Sequence, residues 1–263
     1  MLLFSRMNRA QEGAAAVYRL PVYSQLMDIS KVYQRLQNIQ QYLFPGQCLL
    51  CLDTAPSGQM LCSPCAEELP LNDCGCSRCG KPMPVAVAEC GACQKSPPAF
   101  DSVHTLYRYQ PPVDQLVQQM KYNGKLHLAR LLGEQLRNAA PAWIRQSGKP
   151  DLIIPVPLHR SRLRQRGFNQ SIEIARATAK ILGIKLELDR IRRIRKTDPQ
   201  TELPLKKRKQ NVRGAFQVSN SLDGLSVVIV DDVITSGHTV GELARVLKHA
   251  GAKKVDVWGI ARA

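Results

Sequence analysis

The sequence is short of acid, of aromatic residues and of long apolar runs, and its cysteines avoid most of the chain. Only 21 Asp and Glu stand against 37 Lys and Arg, a formal charge of +16. The deficit is local: between His159 and Arg213 there are 17 basic and 5 acidic side chains, so that window alone carries 17 − 5 = +12. Charge on this scale favours polyanions, either nucleic acid or a multiply phosphorylated small molecule, although a solvated basic face has the same composition. Aromatics are 5% of the chain, with Phe168 almost alone in the basic window, so platforms for stacking unpaired bases are sparse. No run reaches the roughly 18 apolar residues of a membrane span. The opening MLLFSRMNRAQEG has too short an apolar patch for a secretory leader. The expected setting is therefore the cytoplasm. All nine cysteines fall between Cys48 and Cys93, and an odd number in a cytoplasmic chain argues against a disulfide framework.

What the cysteines form instead is written in their spacing. Cys48/Cys51, Cys62/Cys65, Cys76/Cys79 and Cys90/Cys93 are four CxxC pairs, and the second two repeat the first two at an offset of 28. Two thiolates separated by two residues wrap an ion on a tight knuckle, and two knuckles complete a tetrahedron around Zn²⁺. A lone CxxC would suit redox chemistry, but four at a repeated spacing point to structural zinc. Spacing leaves the partnering open: first pair with second, or first with third. Cys74 is the odd one out. With eight thiolates on two Zn²⁺ the net charge falls by 8 − 4 = 4, to about +12.

Composition divides the chain in three. Residues 1–44 form an N-terminal extension in which Val32, Leu36, Ile39 and Leu43 recur at helical spacing, predicting a helix over Ser30–Leu43. Residues 45–98 are rich in Cys, Gly and Pro and too small for a hydrophobic core of their own; metal binding supplies their folding energy. From residue 99 strands alternate with helices: FDSVHTLYRY, PVDQLVQQMKY, LARLLGEQLRNA, DLIIPV, FNQSIEIARATAKILG, LSVVIVD, TVGELARVLKHAG and KKVDVWGIARA. The pattern predicts an α/β domain with a parallel sheet covered on both faces. The segment Arg190–Gly214, basic and broken by Pro199 and Pro204, reads as a hood outside the sheet.

The stretch VVIVDDVITSGHT carries the chemistry. Val227–Val230 form a buried strand that runs into Asp231 and Asp232, at the edge where open α/β sheets bind ligands. Adjacent carboxylates there accept hydrogen bonds from neighbouring ribose hydroxyls and help hold a hydrated cation. The following turn, with Thr235, Ser236, Gly237, His238 and Thr239 opening a helix, is an anion cradle of hydroxyls and backbone N–H groups. This stretch resembles the phosphoribosyl-diphosphate (PRPP) signature of type I phosphoribosyltransferases. The resemblance implies that Asp231 and Asp232 face the ribose as the catalytic pair, and that residues 235–239 hold the 5′-phosphate. Thr235 stands where the 6-oxopurine enzymes carry a further Asp, which argues against hypoxanthine and guanine as acceptors.

A second basic loop follows DLIIPV. In PVPLHRSRLRQRGFNQS, Pro157 and Leu158 lie where such enzymes place a diphosphate loop, with Arg160, Arg164 and Arg166 supplying guanidinium forks and Lys121 of QMKYNGK a further cation. Taken with the CxxC repeat, PPAFD, MKYNG, the Gln200, Arg208, Asn211, Ala215 and Phe216 arrangement and the terminal signature, residues 45–263 resemble the ComF/GntX family. The resemblance implies a zinc-finger module fused to a phosphoribosyltransferase-like domain, Mg²⁺ entering with PRPP, and an association with competence and the use of external DNA. Two functions follow from it: phosphoribosyl transfer, or binding of single-stranded DNA or a DNA-uptake protein with the PRPP pocket as a sensor or relic.

Overall fold

The computed structural model describes residues 46–56, 58–122, 124–196 and 210–263. The helix expected over Ser30–Leu43 lies outside these residues, as do Gln200 and Arg208 of the expected hood. The described chain begins with two zinc-ribbon halves. The first contains a short hairpin, β1 (Gly46–Gln47) and β2 (Thr54–Ala55), and α1 (Ser63–Glu67); the second contains α2 (Gly91–Lys95). The repeat seen in the cysteines extends to the backbone. Leu52 and Gly80, each directly after a CxxC and 28 residues apart, both take left-handed φ values, +65° and +69°. The knuckle requires that conformation, and only glycine adopts it without strain.

The larger unit is a five-stranded sheet in the order β3 (Ser102–Arg108), β9 (Lys254–Arg262), β8 (Ser226–Ile234), β4 (Leu152–Pro155), β5 (Lys185–Leu186), every neighbouring pair parallel. Its central strands are apolar on both faces. Ile153, Val228, Val230, Trp258 and Ile260 join one core, while Leu152, Ile154, Val227, Ile229, Val255 and Val257 join the other, the period of two expected of a strand. The first core takes α3 (Val113–Tyr122), α4 (Leu126–Ser147) and α6 (Gln170–Leu182), together with Cys48, Leu61 and Leu69 of the zinc module. The second takes α7 (His238–His249) and the antiparallel pair β6 (Ile191–Arg193) and β7 (Phe216–Val218).

Two helices depart from the sequence reading. The pattern LARLLGEQLRNA stops before Pro141, yet α4 runs through that proline to Ser147. The proline forfeits one backbone bond near the exposed side, and the last turns are held by the partly buried Trp143 and Ile144 against the core. Within α4, Gly133 permits a close crossing with α6: a Cβ there would lie 2.9 Å from the Ile174 carbonyl oxygen. The arginine-rich stretch after β4, read as a loop, winds into α5 (Arg160–Arg166), which starts where His159 Nδ1 accepts the Ser161 N–H and stops at the left-handed Gly167.

The topology places the site. From β4 the chain moves outward to β5; from β8 it moves the other way to β9. The carboxyl ends of β4 and β8 are therefore the switch point at which such sheets open a crevice. Pairing with β4 ends at Val230, whereas pairing with β9 continues from Asp231 to Ile234. Asp231 and Asp232 thus lie inside β8, not beyond it, on the stretch that β4 has vacated.

Candidate functional site: an acidic pair among arginines, and two four-cysteine clusters

The cysteines settle their own partnering. Cys48, Cys51, Cys62 and Cys65 form one cluster and Cys76, Cys79, Cys90 and Cys93 the other, with the sulfurs of each cluster within 4.8 Å of one another. The first pair of each half joins the second pair, and the crossed arrangement does not occur. Zn²⁺ at about 2.3 Å from four sulfurs requires S···S edges of about 3.8 Å; Cys79 Sγ–Cys90 Sγ is 3.8 Å and Cys51 Sγ–Cys62 Sγ is 3.6 Å. The sulfur spacing of each cluster therefore fits one Zn²⁺. Cys90 is drawn down to about 7, first by the Cys93 amide. Cys48 falls to about 6, where burial opposes the thiolate but the amides of Cys51, Cys62 and Leu50 outweigh it. Each cluster therefore has one sulfur already disposed to ionise, and the rest are set by the metal. Cys74 joins neither cluster.

At the switch point lies a cleft of about 420 Å³ lined by Lys121, Arg162, Arg166, Ser171, Arg193, Asp231, Asp232, Thr235 and Thr239. Four cations from α3, α5 and β6 surround the two carboxylates of β8. Asp232 is 3% exposed, and its Oδ2 lies 2.8 Å from Lys121 Nζ. Burial works against the Lys121 charge, but the carboxylates of Asp232 and Asp231 outweigh it and hold the ammonium above its ordinary range. Asp231 is pushed up to about 7, by burial first and then by the Asp232 charge; Lys121 and the Ser171 hydroxyl, 3.1 Å from Asp231 Oδ1, offset only part of this.

The arginine helix presents one face. Arg162 and Arg166, four residues apart, line the cleft, while Arg160 and Arg164, on the other side of α5, are exposed and do not. Arg166 is aimed by Gln170, whose Oε1 accepts its Nη1–H at 2.7 Å, and by the Tyr122 ring, 5.9 Å away. Burial lowers Arg166 below its ordinary range. Arg193 sits 5.4 Å over the Phe216 ring, and burial followed by the Arg162 charge brings it down to about 10. Leu158 lines the cleft and Pro157, directly before it, does not.

The turn after β8 divides between two cavities. Thr235 and Thr239 face the cleft. Ser236, Gly237 and His238 line a second cavity of about 460 Å³, shared with Cys79, Cys90, Cys93, Pro97 and Pro98 of the zinc module and with Ala99 and Phe100 at its junction with the larger domain. Between the two cavities stands Arg262, 7% exposed. Its Nε donates to the Cys79 carbonyl at 2.9 Å and its Nη1 to the Ile234 carbonyl at 2.9 Å, with further bonds to the carbonyls of Thr235 and Ala263. Arg162, Arg193, Gln170, Ser171 and Arg262 are absent from the sequence-derived site. Arg162, Gln170 and Ser171 had a signal there, since all three lie in RSRLRQRGFNQS; Arg193 and, beside the second cavity, Arg262 reach their places only through tertiary structure.

The phosphoribosyl transferase domain family matches residues 134–260, and the double zinc ribbon domain family matches residues 39–94. The chain is thus a phosphoribosyltransferase-type domain joined to a double zinc ribbon. It is 37% identical over 168 residues to DNA utilization protein YhgH of Salmonella typhi, covering 63% of this chain and 74% of that protein. To Competence protein F of Haemophilus influenzae it is 34% identical over 173 residues, covering 63% and 75%. The chain belongs to the ComF/GntX family. Among solved structures, the B. subtilis glutamine PRPP amidotransferase is similar over 48% of this chain and 24% of its own, with 28% identity and a TM-score of 0.32.

Proposed function

We propose that the cleft binds PRPP or a closely related phosphosugar, and that the protein acts in the cytoplasm in the use of external DNA; the names DNA utilization protein YhgH and Competence protein F support the DNA part of this reading. Residues 45–98 act in this reading as the zinc-binding module and residues 99–263 as the phosphoribosyl domain. The single observation that carries it is the convergence on one cleft of the β8 carboxylates, the Thr235 and Thr239 end of the anion-cradling turn, and the α5 arginines. Ribose hydroxyls meet Asp231 and Asp232, the 5′-phosphate meets the turn, and the diphosphate meets Arg162 and Arg166. Mg²⁺ carried in with PRPP would supply further positive charge to the diphosphate. If the ribose is transferred, negative charge develops on the departing diphosphate, and guanidinium groups already in place stabilise it with no nucleophilic side chain required. His238 lines the second cavity and not this cleft, so it takes no part as a base.

The test is PRPP titration with Mg²⁺, read by thermal stabilisation. The wild-type chain is stabilised, Asp231→Asn with Asp232→Asn is not, and Arg162→Ala weakens binding more than Arg160→Ala. A double mutant that is stabilised as strongly as wild type overturns the reading. A second reading, single-stranded DNA binding, has one observation in its favour. Tyr122 is 73% exposed at the cleft mouth beside Arg166, a stacking surface the basic window alone lacks. Salt-sensitive DNA binding that survives the double mutant supports it.

A further inference from the structure

We propose that Lys121 is the resident cation of the acidic pair: its ammonium takes the place of a divalent metal on the carboxylate side of the cleft, so that the ribose is held by Asp231, Asp232 and Lys121 with no metal ion between them. This rests on the phosphoribosyl reading and goes beyond it, since that reading puts Mg²⁺ only on the diphosphate and left Lys121 among the diphosphate ligands.

The carboxylate oxygens are already engaged. Asp231 Oδ1 accepts the Ser171 hydroxyl at 3.1 Å and the Asp232 N–H at 3.0 Å. Asp232 Oδ1 accepts the Val233 N–H at 2.7 Å, and Asp232 Oδ2 is paired with Lys121 at 2.8 Å. Two of the four oxygens that a metal would need therefore accept hydrogen bonds, and a third, Asp232 Oδ2, has no hydrogen-bond partner among the described residues but is covered by the Lys121 ammonium as an ion pair. The ammonium is also anchored. It projects from the last turn of α3, whose Val113, Leu116, Val117 and Met120 are buried in the core. Lys121, Arg162, Arg166 and Arg193 already outnumber the two carboxylates by 4 − 2 = 2 charges, so a dication at the pair meets an excess of like charge. An ammonium has three donors. Held beside Asp232 by charge, it has donors to spare for the oxygens of a ribose diol whose hydrogens go to the carboxylates, and no covalent bond is made or broken.

Ribose 5-phosphate is the discriminating probe, because it carries the ribose and the phosphate but no diphosphate to bring Mg²⁺ with it. It is titrated calorimetrically into the full zinc-loaded chain in metal-scrubbed buffer, with and without added Mg²⁺. Wild-type affinity is expected to change less than about twofold on adding Mg²⁺, whereas Lys121→Met weakens it about tenfold or more, the scale of losing a charged hydrogen-bond donor. Added Mg²⁺ or Mn²⁺ then restores much of the loss in Lys121→Met, and restores none of it when Asp232→Asn is added. A wild-type affinity that rises about tenfold with Mg²⁺ overturns the proposal, as does a Lys121→Met chain that binds as wild type does. Mn²⁺ titrated alone and followed by electron paramagnetic resonance supplies an arm that needs no Lys121 variant. Wild type shows no bound Mn²⁺ in support, and bound Mn²⁺ that Asp232→Asn abolishes contradicts it. If wild type binds neither ribose 5-phosphate nor PRPP in either buffer, the phosphoribosyl reading itself falls, and this proposal with it.

Discussion

Replacing Asp231 with Asn should make the protein more stable while depriving it of its ligand. In the folded chain burial and the Asp232 charge push Asp231 up to about 7 from an ordinary 3.8. The native state therefore holds the proton more tightly than the unfolded chain does. That contribution to stability is fully present below about pH 4 and is lost as pH rises through about 7. Between about pH 5 and pH 8 the loss comes to about 2–3 kcal/mol. Asn is a permanent copy of the protonated acid. Its carbonyl oxygen accepts from Ser171 and from the Asp232 N–H as Asp231 Oδ1 does. Asp231→Asn is then more stable than wild type, by a margin that widens by about 2–3 kcal/mol from pH 5 to pH 8. Urea unfolding of both chains at each pH, compared at equal zinc loading, measures the margin; the pH dependence of the zinc clusters is common to both and cancels. A margin that stays flat with pH, or a variant less stable than wild type at pH 8, refutes the reasoning. A stabilised variant that no longer binds PRPP is what a site carrying an unfavourable charge for function produces.

Other expectations follow from single contacts. Leu52→Gly removes a left-handed leucine at the position where the second repeat has Gly80, and should raise stability by about 1 kcal/mol in thermal or urea unfolding. Arg262→Met strips donors from the carbonyls of Cys79, Ile234 and Thr235 and should cost about 3 kcal/mol or more in urea unfolding, with PRPP affinity falling as the phosphate turn loosens. Zinc analysis should find two ions per chain in wild type and about one in either Cys62→Ser or Cys90→Ser, because the two clusters share no ligand; a loss of both ions from either variant would show the clusters to be interdependent.

How far the sequence carried depended on the range of the forces involved. The central strands were legible because a strand buried on both faces must be apolar throughout, and Val227–Val230 have no other use. The zinc clusters were legible because metal geometry fixes ligand spacing, although only the fold could show which pairs share an ion. The arginine loop was half legible. Its composition suggested an anion site, but Arg160 and Arg164 were chosen over Arg162 because nothing in PVPLHRSRLRQRGFNQS declares a helix; the short helix that His159 caps decides which face looks inward. Lys121 was legible as a cation of the anion site, but its ion pair with Asp232 was not, since that distance exists only once α3 has packed against the first core. Arg193 and Arg262 were invisible for the same reason.

Arg262 also bears on why a zinc module accompanies this domain at all. A turn that is to offer its backbone N–H groups to an anion must turn its carbonyls to the rear, where they need donors of their own. In a bare domain, water would supply them and leave the turn free to breathe. Here one buried guanidinium from the last strand supplies them, and the same group donates to the Cys79 carbonyl in the second zinc cluster. That cluster carries a net charge of −2 when four thiolates hold one Zn²⁺, a charge that favours keeping the guanidinium where it is. Phe100, at the junction of module and domain, closes the other side by packing about 4 Å from where a Cβ on Gly237 would stand. The turn is therefore braced by a side chain of the last strand that is itself tied to the zinc module. The first cluster adds to the core behind Lys121 through Cys48, Leu61 and Leu69. Each half of the ribbon thus supports a different wall of the cleft, and a zinc-free chain should lose the geometry of the site before it loses the sheet that positions it.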